Sequence, residues 1–359
     1  MLTIDNNNAY GTPFLIKESV IRRQNFLNAE IRSYIMPNEH SDGTGSSVSF
    51  SVNNTIKASL GEQLERSSMY KSYIKGPLDY PCFSMLNGEL GHVNLDYLLL
   101  RHDLPVFKYE ELSFSDSCGV ASHKTSTLSI NAAFLEFIER QSFIYSWLTE
   151  SPGVKINIDE IMNNMPEIKR KLIMIKKYIS EIYFFDISIH EEVKVILVVG
   201  FGEDSFSVGL NADWEIKNAI DGALSEFLES LEVNFYNHVN DENIELYKKI
   251  YMNIIPKEFR KFYHYLVANS IEKKNQFSES IKKYNFKEKV QKISKDLRIN
   301  PQLTFIPSNF NSGIKIVKVF ASEAFPHMNT MILEPENYPL TSTLGASSFP
   351  NKYRSLPFP

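Results

Sequence analysis

Two cysteines, Cys82 and Cys118, are all that 359 residues carry. Two thiols cannot build a disulfide framework or a zinc site, and this usage fits a reducing, cytoplasmic setting. No run of 18 apolar residues occurs, so no transmembrane helix is expected. The opening Met-Leu-Thr-Ile-Asp lacks the basic and apolar regions of a signal peptide. Charge of one sign is also missing: the formal net charge is -5, which gives no global pull toward nucleic acid. A P-loop (G-x-x-x-x-G-K-[ST]) is absent. A dinucleotide fingerprint is only hinted at: in Gly200-Phe-Gly202-Glu-Asp-Ser205 a serine stands where the third glycine belongs. The residues that follow, Phe206-Ser-Val-Gly, suit a strand rather than a helix, so a β-hairpin is expected there.

What is present is an unusual placement of acids. The second half of the stretch Asp116–Leu148 predicts one long helix without Gly or Pro, apolar nearly all round, and such a helix is normally buried. Glu136 and Glu139 lie in its middle, followed by Arg140. Burying a carboxylate costs several kcal/mol, about, unless it meets a cation, a metal or donors. Residues at i and i+3 share a helix face, so these two acids point the same way. A second helix, about Thr55 to Tyr73, repeats the device in Ala58-Ser59-Leu-Gly-Glu62-Gln-Leu-Glu65-Arg66. A fainter copy follows in Glu226-Phe-Leu-Glu229. A small residue (Ala58, Ala132, Gly222) stands four before the first Glu each time. Two physical readings stay open. One is a set of solvated helices with Glu-to-Arg pairs worth a few tenths of a kcal/mol, roughly. The other is a cluster of converging carboxylates around hard cations, where Mg2+ usually arrives with phosphate.

Elsewhere the chain predicts a Gly/Ser loop at Ser41–Ser47, which could cradle phosphate but also suits a flexible connection. A short strand is expected at Val106–Tyr109, and a basic helical region from Pro152 to about Glu181. Strands follow at Ile179–Ile189 and Val193–Gly200, a helix at Asn218–Val239, and an alternating strand at Ile314–Phe320. Lysines interleaved with aromatics between Tyr247 and Arg298 suit a solvated or partner-docking face, since nearby acids dilute the charge. Cys118 and His123 lie close in sequence, but no third orienting group is spaced to make them a nucleophile pair. The last 30 or so residues are rich in Pro, Ser and Thr and end Tyr353-Arg-Ser-Leu-Pro-Phe-Pro359. Stiff prolines and aromatics favour docking, whereas chain ends are usually loose.

Ser59-x-x-Glu62-x-x-Glu65-Arg66, Glu136-x-x-Glu139-Arg140 some 70 residues on, and the closing Leu356-Pro-Phe-Pro359 together resemble the YcaO family. Within it, Cys118-Gly119, His123 and Phe325-Pro-His-Met-Asn329 resemble the cyclodehydratase subunit of microcin-type thiazole/oxazole synthetases. The resemblance implies a single α+β domain over 1–359, built of repeated strand–helix units that bring acidic helices around one ATP cleft. It further implies a Pro-rich tail from about 335 that enters the active site.

The implied activity is ATP- and Mg2+-dependent. A Cys, Ser or Thr side chain of a ribosomally made peptide attacks the preceding amide carbon. The oxygen is then phosphorylated, and loss of phosphate and a proton leaves a thiazoline or oxazoline. Glu62, Glu65, Glu136 and Glu139 would hold Mg2+. Ser59, Arg66 and Arg140 would contact the nucleotide, and the Pro359 carboxylate would serve as base or orienting group. Implied partners are the precursor peptide, a separate leader-binding protein resembling ubiquitin-activating enzymes, and an FMN-dependent azoline dehydrogenase. Other readings are thioamide or amidine formation by the same kind of enzyme, and a non-catalytic scaffold in a peptide-modifying complex. The sequence departs from the family at Ala121, Lys124 and Leu128, where polar ATP contacts are usual, and at Gly43-Thr-Gly45, which replaces Gly-Lys-Gly.

Overall fold

The computed structural model describes residues 2–4, 14–21, 26–33, 44–45, 47–49, 52–75, 79–94, 117–236, 256–273, 277, 285–307 and 313–358. Helices and mainly antiparallel sheets alternate along the chain, so the class is α+β. Two units emerge: Met1–Arg140 with Tyr284–Met328 and Tyr338–Thr343, and Gln141–Lys283 with Asn329–Asn337 and Leu344–Pro359.

The first unit opens with strands β1 (Leu2–Ile4), β2 (Phe14–Ile21), β3 (Phe26–Ser33), β4 (Thr44–Gly45) and β5 (Val48–Ser49). They form an antiparallel sheet in which β4 and β5 both pair with β3. Most of the Gly/Ser loop lies outside the described residues, as does the strand expected at Val106–Tyr109. Helix α1 (Val52–Lys75) packs against this sheet.

Next come β6 (Asp79–Ser84), β7 (Leu90–Asn94), β8 (Val120–His123) and helix α2 (Ser126–Thr149), which crosses from the first unit to the second at Arg140. β6 shows a strict exposed–buried alternation, with Tyr80 and Cys82 inward beside Met69, Val120, Ile306 and Ile316. That alternation is the period-2 signature of a sheet with one covered face.

The second unit contains β9 (Val154–Ile156), α3 (Ile158–Asn164), α4 (Ile168–Ile175), β10 (Glu181–Asp186), β11 (Lys194–Phe201), β12 (Phe206–Asp213) and α5 (Ile216–Tyr236). After these follow α6 (Pro256–Phe262), α7 (His264–Asn269) and β13 (Ile271–Glu272). The basic region after Pro152 is thus a strand and two short helices, because Pro166 interrupts the helical run. The hairpin expected in place of a dinucleotide fingerprint forms: β11 and β12 pair in register, and the Gly202 N–H donates to the Ser205 carbonyl at 2.7 Å.

α5, the fainter acidic copy, lies on β12 so closely that backbone meets backbone. A Cβ on Gly209 would stand 2.1 Å from the Ala223 carbonyl oxygen. β12 is an edge strand, and Glu226 accepts the Leu210 N–H at 2.7 Å. That covers an edge donor which would otherwise invite another strand.

Back in the first unit are α8 (Phe286–Leu297), β14 (Gln302–Ile306), β15 (Lys315–Phe320) and α9 (Pro339–Thr343). α8 starts at a capping box between Asn285 and Glu288 and buries Val290, Ile293 and Leu297, while Lys287 and Lys295 face water and Lys289 is buried. β14 and β15 complete a sheet of order β7-β6-β14-β15-β8, antiparallel throughout.

The Pro-rich tail, described to Phe358, is docked within the second unit. Tyr263, fully buried, donates its hydroxyl to the Pro357 carbonyl at 2.7 Å. Phe358 meets Phe143 edge-on at 5.1 Å, and Asn351 donates to the Trp147 carbonyl at 3.0 Å. Stiff prolines lose little entropy on docking. Removing the Tyr263 hydroxyl strands a buried carbonyl, so Tyr263→Phe is expected to cost about 1–2 kcal/mol in urea unfolding. An unchanged midpoint and slope would show that this hydrogen bond to the tail adds nothing to stability.

Candidate functional site

The two E-x-x-E-R segments come together in the first unit. A groove of about 630 Å³ is lined by α1 (Asn54, Lys57, Ala58, Gly61, Glu62, Glu65, Arg66), by Ser117 to His123 and by α2 through Glu136 and Arg140. The local reasons are plain. On α1 the spacing 54, 58, 61, 62, 65 sets one face of a helix toward the groove. Gly119, at φ +71, turns the chain into β8 and points Ser122 and His123 at that face.

Each arginine is engaged by its own helix. Arg66 holds Glu62 at 2.6 Å, while Arg140 Nε lies 3.5 Å from Glu139 and 3.8 Å from Glu136. Arg140 also donates to Met328 Sδ at 3.3 Å. Glu139 is buried and does not line the groove, whereas Glu62, Glu65 and Glu136 do. Ser59, fully buried, spends its hydroxyl on the Thr55 carbonyl at 2.9 Å and is also absent from the lining. Pro359 lies outside the described residues. Cys118 is buried and His123 is exposed in the groove wall.

Glu65 is the electrostatic centre. Burial against the groove walls, with Glu62 beside it, pushes its pKa from 4.5 up to about 8, against the opposing pull of Arg66 and Ser122. A carboxyl so placed stays mostly protonated near neutral pH unless a cation offsets its charge. Among the described residues no three acidic, thiol or imidazole groups converge tightly enough to hold one ion. The donor chemistry nevertheless fits Mg2+: three carboxylates on one wall-to-wall groove are hard oxygen ligands, and a desolvated acid beside a second acid is the environment a divalent cation relieves.

Sequence reasoning missed Ser122, Asn54 and Lys57. Ser122 is the clearest case: Ala121 carries no polar group where the family pattern has one, yet the next residue lines the same groove. Its hydroxyl also donates to the Gly61 carbonyl at 3.4 Å. Alternation along a strand would have flagged it only with β8 already placed. Lys124 and Leu128 are exposed and outside the lining.

A family model described as YcaO cyclodehydratase, ATP- and Mg2+-binding, matches residues 75–304, and the chain belongs to the YcaO family. The match includes Glu136, Glu139 and Arg140 and begins after the first acidic motif. The fold is similar to a chain of the E. coli microcin synthetase McbBCD complex, at TM-score 0.69, 17% identity and full coverage of both chains. With pro-MccB17 bound, that complex gives TM-score 0.73 at the same identity and coverage. YcaO from Methanopyrus kandleri, bound with AMPPCP and Mg2+, matches at TM-score 0.66 and 11% identity over 94% of this chain and 88% of that one. At such identities the likeness is one of fold. A comparison with curated protein sequences finds no match. No helix among the described residues is long and apolar enough to cross a membrane.

Proposed function

We propose that this chain is an ATP- and Mg2+-dependent cyclodehydratase that turns Cys, Ser or Thr of a ribosomally made precursor peptide into thiazoline or oxazoline. The observation that carries the reading is Glu65, a carboxyl held in a desolvated groove beside Glu62. Such an arrangement is costly in an inert protein and useful in one that binds a cation. When bound, Mg2+ and ATP supply the phosphoryl group that makes the peptide's amide oxygen a leaving group.

The chain's own residues bind and orient. Glu62, Glu65 and Glu136 offer oxygen ligands from two helices, and Glu139, buried against Arg140, fixes the guanidinium. Arg66 and Arg140 are placed to exchange a carboxylate for phosphate once a metal takes the acids, since guanidinium suits both. Ser59 would reach a nucleotide only after releasing Thr55, and Pro359 carries over from the family resemblance as base or orienting group.

Partners belong to the same proposal: the precursor peptide, a leader-binding protein resembling ubiquitin-activating enzymes, and an FMN-dependent azoline dehydrogenase. Their support is the family and the fold likeness to a chain of a multi-subunit synthetase.

The deciding experiment is calorimetric titration of the purified chain with a non-hydrolysable ATP analogue, with and without Mg2+. Binding is expected only with Mg2+ and is expected to vanish in Glu136→Gln, whose circular dichroism stays that of the wild type. Undiminished binding by Glu136→Gln would remove the acidic groove from the nucleotide site.

A further inference from the structure

The groove has a second chemical character that the carboxylates do not explain. Along α1 the lining residues run Lys57, Ala58, Gly61, Glu62, Glu65: a cation, then two residues without bulk, then the acids. Gly61 sits inside a 24-residue helix, where glycine costs about 1 kcal/mol relative to alanine. Packing does not demand it there. A Cβ would find only the Ser122 hydroxyl within 4 Å, at 3.8 Å, which is ordinary contact. The bare floor is therefore kept for something outside the protein.

The cations of the groove differ in state. Arg66 and Arg140 are held by their own helices' glutamates. Lys57 is exposed and, among the described residues, pairs with no carboxylate. It stands five residues before Glu62, about 7.5 Å of helix axis, a gap that an extended lysine side chain covers. On the facing wall His123 accepts the Thr125 N–H through Nδ1 at 3.4 Å. With Nδ1 accepting, Nε2 is the ring nitrogen left to donate.

We propose that Lys57, with His123 opposite, forms an anion-binding end of this groove that takes the outer phosphates of the nucleotide over the floor left by Ala58 and Gly61. The proposal rests on the nucleotide reading above and adds a phosphate contact to it. Division of labour follows from charge: the carboxylates need a metal before they tolerate phosphate, whereas an ammonium held by no described carboxylate and an imidazole donor bind phosphate directly.

The test is calorimetric titration at fixed Mg2+ with the non-hydrolysable ATP analogue and, separately, with AMP, which lacks the outer phosphates. Lys57→Met is expected to weaken the analogue by about 10- to 100-fold, the range of one charge-assisted hydrogen bond, and to leave AMP unchanged. Lys57→Arg should restore most of the loss, and His123→Gln should give a smaller loss with the same selectivity for the analogue. Gly61→Leu, which fills the floor, should block the analogue while the unfolding midpoint holds. Wild-type affinity for the analogue in Lys57→Met, or equal losses for analogue and AMP, would overturn this proposal and leave the metal groove standing. A wild-type chain that binds no nucleotide would overturn the nucleotide reading and this proposal with it.

Discussion

Glu65→Gln is expected to abolish Mg2+-dependent nucleotide turnover while making the cation-free protein more stable at alkaline pH. Both effects have one cause. The folded chain raises the Glu65 pKa from 4.5 to about 8, chiefly through burial and then through Glu62. A carboxyl whose folded pKa lies above its unfolded value favours the folded state fully below the unfolded pKa. That contribution is lost as pH rises through the folded one.

Cation-free wild-type protein should therefore lose stability between about pH 4.5 and 8, and the glutamine variant should not. The residue keeps partial exposure, so the difference should amount to a few kcal/mol at most, roughly, on the scale of 1.4 kcal/mol per pKa unit. Mg2+ with the nucleotide analogue should flatten the wild-type curve, because a ligand that binds only the folded state stabilises it. Urea unfolding at several pH values checks this. Parallel curves for wild type and variant would mean that Glu65 is solvated like any surface acid.

Gly119→Ala should unfold the first unit more effectively than any conservative change in its core. The backbone there stands at φ +71, and a Cβ would lie 2.2 Å from the Val319 carbonyl oxygen and 3.2 Å from Phe137 Cβ. Left-handed backbone costs a non-glycine residue about 1–2 kcal/mol. Overpacking against backbone, which cannot rotate away, adds about 1–3 kcal/mol. Relief requires parting the bond from the Val319 N–H to the Gly119 carbonyl, 2.8 Å long. That bond fixes the turn from which β8 carries Ser122 and His123 into the groove. The expected result is a fall of several kcal/mol, about, in unfolding free energy together with loss of nucleotide binding. A variant melting with the wild type would show that the turn has room to relax.

The sequence revealed the helices far better than the sheets. Glu136 and Glu139 were conspicuous because acids inside an apolar helix contradict its pattern, and the groove indeed forms where α1 and α2 bring their motifs. The third acidic copy had the same spacing but another purpose: Glu226 covers an edge N–H of β12. Spacing alone cannot tell a ligand from a cap, since both put a carboxylate on one helix face. Gly200 and Gly202 mimic a cofactor loop in sequence; in the fold Gly200 lies against the Phe227 ring, and Gly209 further along the hairpin lies against the α5 backbone, which lets that helix approach. Ser122 and Lys57 were illegible for a different reason. A lone serine or lysine has no internal signature, and its meaning arises only from what the other elements place opposite it.

The strand that carries Ser122 and His123 lies at the end of its sheet, and its neighbour there is β15 (Lys315–Phe320). On the ribosome, β8 must therefore wait for nearly 200 further residues before that neighbour exists. The second unit's hairpin and α5, by contrast, are made in one continuous stretch from Lys194 to Tyr236. Local pairings close quickly and distant ones slowly. The groove is thus among the last features to be assembled during synthesis. Through that interval α1 carries Glu62 and Glu65 without the strand that completes the groove around them.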